Sequence, residues 1–458
     1  MTETAGEQRP RPKRGQELEL TIDSLAHGGN GVARADGFVV FVRSTVPGDR
    51  VRVVVEKAKR SFAEAGVVEL LEPSPERIEP RAAHPGAPWQ VLPYERQLQV
   101  KEEQVRDALS RFGGFQDPPV EAIVPAIETF RYRNNVEYSF GSGEDGKLAL
   151  GFHRAGRWDV IDDVREDILA SERVDGLREA VREWCGAHGL EPYDRASRRG
   201  LLRNLVVREG RRTGHLQARL VTSEGPFPAD ELAAAVPADS TLWTQAEGVA
   251  ETTREGKTRV LDGSASLEEQ LEVAGERLRF GISPDAFFQT NTEMAERLYA
   301  AAIELAGLSG RERVFDLYCG IGAIGLALSL RAGEVVGVDV VERAVADAIQ
   351  NAKLNGIDNA RFYAGDVRTA MRPLLEEEGS ADVVVVDPPR AGLSQKVVRR
   401  VLETGARRIV YVSCNPTTLA PNARQMADAG YELRTVRPVD MFPQTPHIES
   451  VALLDRSG

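Results

Sequence analysis

Apolar and polar residues alternate with a period of two through the first part of the chain. Leu18, Leu20 and Ile22 alternate with polar neighbours, and apolar runs at 38–42, 51–55 and 67–71 follow. Gly28-Gly29-Asn30-Gly31 and Pro47-Gly48-Asp49 interrupt them as turns. Four or five short strands in about 55 residues predict a small OB-like β-barrel over 13–72. Residues 1–12 are polar with prolines and read as a disordered tail. Pro73, Pro75, Pro80, Pro85 and Pro88 mark a linker. The period then changes to that of an amphipathic helix over 94–112, stopped by Gly113-Gly114. Strands at 135–140, 148–152, 201–207 and 215–220 give an α+β texture, and 73–283 is taken as a central domain with helix 94–112 available to pack on the catalytic one. From 284 to 458, strands and helices alternate, which predicts an α/β Rossmann-like domain. The expected fold class is therefore multidomain: barrel, α+β domain, α/β domain.

Composition narrows the class. A chain of 458 residues with 42% hydrophobic and 28% charged residues is globular and too long for one ordinary domain. No apolar run approaches the roughly 20 residues of a membrane helix. Met1-Thr2-Glu3-Thr4 lacks the basic-then-apolar pattern of a signal peptide. Cys185, Cys319 and Cys414 are too few and too far apart for a disulfide scaffold or a four-cysteine cluster. These features suit the cytoplasm. A net charge of -12 excludes a wholly basic nucleic-acid clamp but not a local basic face. Residues 195–219 carry eight arginines against one acid, Glu209. Their bland reading is a solvated surface.

The candidate chemistry lies in the last third. A strand over 312–317 runs into Gly320-x-Gly322-x-x-Gly325 and a helix, so the glycines allow a tight turn and close approach of a ligand to backbone N–H groups. Asp339 ends the next strand, 19 residues after Gly320, where an acid suits a ribose diol. Asp316, Asp339, Asp366, Asp387 and Cys414 recur at gaps of 23, 27, 21 and 27 residues, each after a short apolar strand. In an open parallel sheet all five reach the carboxyl edge, where ligands bind. Asp316 beside the glycine turn suits the cationic S-adenosylmethionine better than a pyrophosphate. Asp387-Pro388-Pro389-Arg390 follows the pattern of methyltransferases that act on bases. Cys414, followed by Asn415-Pro416, reads as a nucleophile at a loop tip, against the usual fate of a free cysteine as a small buried hydrophobe. Glu449 enters an apolar strand, where burial would raise its pKa into the range of a general base. An NAD-dependent dehydrogenase shares the glycine loop and Asp339 but has no need of Asp316, the Asp-Pro-Pro-Arg loop or Cys414.

Together these motifs resemble the class I S-adenosylmethionine-dependent RNA uracil-5-methyltransferases, which form 5-methyluridine in tRNA or ribosomal RNA. The resemblance covers nearly the whole chain. Residues 25–49 resemble the family's TRAM domain, and Tyr132-Arg133-Asn134 and residues 202–208 its RNA-contacting segments. Phe287-Phe288-Gln289-Thr290-Asn291, residues 316–320, Asp387-Pro388-Pro389-Arg390, residues 413–416 and His447-Ile448-Glu449 resemble its catalytic signatures. The resemblance implies Cys414 as nucleophile and Glu449 as base, with Gln289, Tyr318, Asp339 and Asp387 at the cofactor. It implies RNA contacts from Arg133, Arg203 and Arg208. Some members hold an iron–sulfur cluster on four cysteines. Here residues 82–89 contain none and the fourth position falls near Asp162-Asp163, so no cluster is expected. Methylation of cytosine C5 or of an exocyclic nitrogen is the nearest alternative chemistry. No membrane contact is expected, and nothing in the sequence requires more than a monomer.

Overall fold

The structure is a computed structural model that describes residues 11–143, 146–154, 157–248 and 256–456. The first ten residues of the expected tail lie outside these. The chain divides into two compact units, Met1–Asp107 with Phe442–His447, and Ala108–Met441 with Ile448–Gly458.

In the first unit, β1 (Glu17–Thr21), β2 (Ser24–Leu25), β3 (Gly31–Ala35), β4 (Phe38–Val42), β5 (Arg50–Ala58) and β6 (Phe62–Glu72) form one sheet in the order β1-β5-β6-β4-β3-β2. Inward residues of five of these strands, among them Leu20, Ala33, Val40, Val53 and Ala63, share one core. A single sheet that packs its inner face against itself is a barrel. The sequence reading missed β3. It is joined to β4 by Asp36-Gly37, both with left-handed backbone, which is the two-residue turn of a tight hairpin.

Helix α1 (Tyr94–Gly113) begins in this unit. In the cysteine-free stretch 82–89, Trp89 is buried among Leu25, Val46, Leu92 and Val100. Its backbone N–H donates to the Gln444 carbonyl at 3.0 Å, and Gln97 Nε2 donates to the Gln444 side-chain Oε1 at 2.8 Å. Apolar packing thus holds the segment.

In the second unit, β7 (Asn135–Ser142), β8 (Leu148–Arg154), β9 (Arg157–Asp163), α2 (Glu172–Ala187), β10 (Leu202–Glu209), β11 (Leu216–Thr222), α3 (Ala229–Ala235), β12 (Ser240–Gln245) and β13 (Lys257–Asp262) come first. Their strands form a sheet in the order β13-β12-β11-β10-β7-β8-β9. Strand β10 lies at its middle and is buried along its whole length. The hairpin β14 (Leu267–Val273) and β15 (Glu276–Ile282) follows, then α4 (Thr292–Ala306).

Strands then alternate with helices: β16 (Arg313–Leu317), α5 (Ala323–Ser329), β17 (Glu334–Asp339), α6 (Glu342–Leu354), β18 (Ala360–Ala364), α7 (Val367–Glu378), β19 (Val383–Val386), α8 (Gln395–Glu403), β20 (Arg408–Ser413), α9 (Pro416–Asp428), β21 (Tyr431–Val439) and β22 (Glu449–Arg456). The sheet order is β18-β17-β16-β19-β20-β22-β21. The first five of these strands are parallel, and β22 is antiparallel to both of its neighbours. The central strands are apolar runs because helices cover both faces of a parallel sheet. The edge strand β21 is not left open: residues 120–124 run beside it through the bridges Val120–Val436 and Val124–Val439.

Candidate active site

The order of the sheet reverses beside β16, whose neighbours are β17 on one side and β19 on the other. Such a switch point opens a crevice at the carboxyl edge. Asp316, Asp339, Asp366, Asp387 and Cys414 all lie at or just past the ends of parallel strands on that edge. Glu449 joins them because β22 runs the other way and starts there.

Local backbone explains the glycine turn. Tyr318, Gly320 and Gly322 have φ of 69°, 53° and 82°. Two of these positions are free to glycine, and Tyr318 adopts a conformation unusual for a side-chain-bearing residue. The Asp339 carboxylate accepts from the N–H groups of Gly320 and Val341, each at 2.9 Å, and so fixes the turn to the end of β17. A Cβ at Gly325 would lie 2.7 Å from the Asp316 carboxylate. The third glycine therefore lets α5 approach β16. Asp366 is exposed and also caps α7, accepting from Arg368 N–H at 2.8 Å.

The electrostatics are set by buried acids. Asp316 is fully buried, and among the described residues no side chain donates to its carboxylate oxygens. Burial, reinforced by Asp387 and Asp339, pushes it up to about 8. Burial pushes Asp387 up to about 7. Glu449 is 4% exposed and is held well above the carboxylate range by burial and by Asp387. Tyr299 of α4, fully buried, faces Asp387, Asp316 and Glu449. Burial, Glu449 and Asp387 push the Cys414 thiol up to about 11, while Arg390 and its own backbone N–H act in the opposite direction. Acids crowded into low dielectric disfavour anions and favour a cation. That donor set fits the sulfonium and ammonium charges of S-adenosylmethionine and would repel a pyrophosphate.

Gln289 is buried, and its backbone carbonyl accepts from Asn134 Nδ2 at 2.9 Å. Asn134 also donates to Thr292 Oγ1 at 2.9 Å, and Thr292 to the buried Glu269 at 2.8 Å. A polar chain from the central sheet thus anchors the loop that carries Gln289. The sequence reading gave no role to Arg390 or Tyr299. The Arg390 position is visible in the Asp-Pro-Pro-Arg motif, whereas no motif in the sequence singles out Tyr299.

The arginine-rich stretch is not one face, and two of the arginines expected to contact RNA are buried. Arg203 is buried, donates to Ser223 Oγ at 2.9 Å and stacks over Tyr193. Arg208 is buried and donates to the carbonyls of Ser283 at 3.0 Å and Ala286 at 2.9 Å. Both lie on β10, which the sheet covers on either side. Arg211, Arg212 and Arg219 pair with Glu293 at 3.4 Å, Glu296 at 2.7 Å and Asp285 at 2.6 Å. The net charge of the segment is therefore answered by acids distant in sequence. Arg133 is half-buried and faces Tyr132. Asp162 and Asp163 pair with Arg154 at 2.7 Å and Arg165 at 3.0 Å. Among the described residues, no three His, Cys, Asp or Glu side chains are grouped to hold a metal ion, and no helix is long and apolar enough to cross a membrane.

A parallel sheet with one antiparallel strand inserted beside its last parallel strand, a glycine turn after its first strand and acids at the strand exits defines a class I S-adenosylmethionine-dependent methyltransferase. Residues 230–457 match the family model of the tRNA (uracil-5-)-methyltransferases, and residues 11–68 that of the TRAM domain. An uncharacterized RNA methyltransferase of Halalkalibacterium halodurans is 36% identical over 453 residues, covering 96% of both chains. One of Chlorobaculum tepidum is also 36% identical, covering 98% of this chain and 99% of its own. The crystal structure of Pyrococcus abyssi tRNA (uracil-54, C5)-methyltransferase in complex with S-adenosyl-L-homocysteine superposes with a TM-score of 0.77 at 30% identity, covering 95% of this chain and all of that one. The chain belongs to the tRNA (uracil-5-)-methyltransferase family, and is a TRAM-carrying, S-adenosylmethionine-dependent RNA methyltransferase that forms 5-methyluridine. The dehydrogenase alternative is thereby excluded.

Proposed function

We propose that this enzyme methylates C5 of a uridine in ribosomal RNA or tRNA through a covalent bond between Cys414 and C6 of the base. The observation that carries the reading is the placement of Cys414 and Glu449 at the same sheet edge, with Asp387 beside both. Uracil C5 is too weak a nucleophile to take a methyl group unaided. The Cys414 thiolate adds to C6, and the C5–C6 double-bond electrons move into an enolate with carbanion character at C5. Bound S-adenosylmethionine supplies an electrophilic methyl group. C5 takes that methyl group, Glu449 removes the C5 proton, and the returning electrons expel the Cys414 thiolate. Gly320, Gly322, Asp316, Tyr318, Asp339, Asp366, Asp387 and Gln289 are the residues proposed to hold the cofactor, with Asp387 also near the base. The base must leave its stack to reach this edge, which favours loops over duplex.

RNA containing 5-fluorouridine tests the adduct, because fluorine cannot be removed as a proton. A protein–RNA complex that survives denaturant, and is lost in Cys414→Ala, is expected. A complex that falls apart in denaturant removes the thiol from the mechanism and favours methylation of a nitrogen. Tritium transfer from labelled cofactor into total RNA lacking the modification, followed by separation by size, assigns the label to ribosomal RNA or to tRNA.

A further inference from the structure

The nucleophile assigned above has a thiol that burial and two carboxylates disfavour as an anion, so a nearby positive charge matters more than usual. Among the described residues, the titratable or charged groups that act on Cys414 are Glu449 from β22, Asp387 and Arg390 from the loop after β19, and Tyr411 from β20. Arg390 is the cation in that set. Its position depends on residues 388–394, a loop with two consecutive prolines and a left-handed glycine, Gly392, with φ of 73°.

That loop is pinned to α9, the helix that starts just after Cys414. Asn422 is 5% exposed and uses its whole amide there. Its Oδ1 accepts from Leu393 N–H at 2.8 Å, and its Nδ2 donates to Leu393 carbonyl at 3.0 Å. The Tyr411 hydroxyl donates to the same Oδ1 at 2.9 Å, which ties the amide to β20 as well. Nearer the cysteine, Asn415 Nδ2 and Thr418 Oγ1 donate to the Arg390 carbonyl at 3.1 and 3.3 Å. A side chain at Gly392 would strike Asn422 Oδ1 and Thr418 Cβ, each at 2.9 Å. The loop thus fits against the helix at a distance only glycine permits, and Asn422 is the buried member of the clamp.

We propose that Asn422 is a positioning residue for the Cys414 centre: by holding Leu393 through both amide atoms, it keeps the 388–394 loop in place and Arg390 facing the thiol. This rests on the assignment of Cys414 as nucleophile. Asn422 acts on the thiolate without touching cofactor or base.

The test measures the rate of Cys414 alkylation by iodoacetamide against pH in the full-length protein, with each cysteine resolved by peptide mass spectrometry. Asn422→Leu is expected to move the midpoint upward by about one pH unit, so that alkylation at pH 8 falls roughly tenfold, because reaction follows the thiolate fraction. Binding of S-adenosylhomocysteine is expected to stay within about twofold, since residues 388–394 follow Asp387 on the other side of the sheet's switch point from the glycine turn. Asn422→Ser, which is smaller and keeps a polar group, serves if the leucine variant does not fold, and should shift the profile in the same direction. Arg390→Gln should reproduce the shift, and the double variant should add little to either single change, because both act through one charge. An unchanged alkylation profile in Asn422→Ser, or shifts that add in full, overturns the proposal. Failure of the underlying assignment looks different: Cys414→Ala would retain methyl transfer whatever the alkylation profile of Asn422 variants.

Discussion

Cys414 and Glu449 are cross-strand neighbours at the open end of the antiparallel β20–β22 pair. The register that joins Ser413 to Ser450 brings the next residue of each strand to the same edge. The antiparallel strand is what makes this possible. A sixth parallel strand would deliver its carboxyl end to the edge, whereas β22 delivers its first residue, already inside an apolar strand and 4% exposed. The base assigned to Glu449 is therefore dry because of strand direction, and it lies beside the thiol because of register.

Glu449→Gln keeps the shape of the side chain and puts no charge into the buried site, so folding should be retained. The variant should form the complex with 5-fluorouridine RNA but stall on ordinary RNA, with turnover reduced by about 10²–10⁴-fold, the usual worth of a positioned general base. Single-turnover assays of complex formation and methyl transfer separate the two steps. Near-normal turnover would move the base elsewhere.

The buried acids make stability depend on pH in a definite direction. Asp316 and Asp387, pushed up to about 8 and about 7, bind protons in the folded protein that the unfolded chain releases near pH 4. Between about pH 4 and 8 the folded state thus holds more protons, and stability falls as pH rises. Below pH 4 both states are neutral at these sites and their contribution is fully present; above pH 8 it is lost. Thermal unfolding of the ligand-free protein should show this slope, and Asp316→Asn should flatten it. A cationic cofactor offsets the repulsion, so S-adenosylmethionine should raise Tm more at pH 8 than at pH 5. A larger rise at pH 5 would contradict the assignment of these acids to the cation.

Arg203 and Arg208 should behave as structural residues. Arg203→Glu or Arg208→Glu would bury an acid against carbonyl oxygens, and each should cost about 3 kcal/mol or more of stability. Denaturant midpoints measure this directly. A variant with an unchanged midpoint and a selective loss of RNA affinity would return these arginines to an RNA-facing surface.

Much of the catalytic domain was legible because its signals are local. Each polar residue at a strand exit follows a short apolar run, and the glycine turn has a fixed spacing. Burial of Arg203 and Arg208 was not legible, because the groups that accept their hydrogen bonds, Ser223, Ser283 and Ala286, lie 20 to 78 residues away. Strand β3 starts at Gly31, the last residue of the glycine turn, and its short GVARA run has weak apolar alternation, so it was not legible although Asp36-Gly37 is a hairpin signal. The pairing of Cys414 with Glu449 also depended on something sequence spacing does not encode, the direction of β22.

Glycines in helices give the last test, because their cost and their use can be separated. Gly176 in α2 has nothing within 4 Å of where a Cβ would stand, whereas a Cβ at Gly325 in α5 would meet the Asp316 carboxylate at 2.7 Å and Phe362 at 3.3 Å. Helix propensity favours alanine over glycine by about 1 kcal/mol at either position. Gly176→Ala should therefore raise Tm. Gly325→Ala gains the same propensity but must push α5 away from β16 or displace a carboxylate with no room to move, so it should lose about 1–3 kcal/mol. The same displacement carries the glycine turn with it, and affinity for S-adenosylhomocysteine should fall at least about tenfold, as isothermal titration would measure. If Gly325→Ala proves as stable as Gly176→Ala and binds the cofactor product normally, the third glycine is dispensable, and the close approach of α5 to Asp316 does not hold the cofactor turn in place.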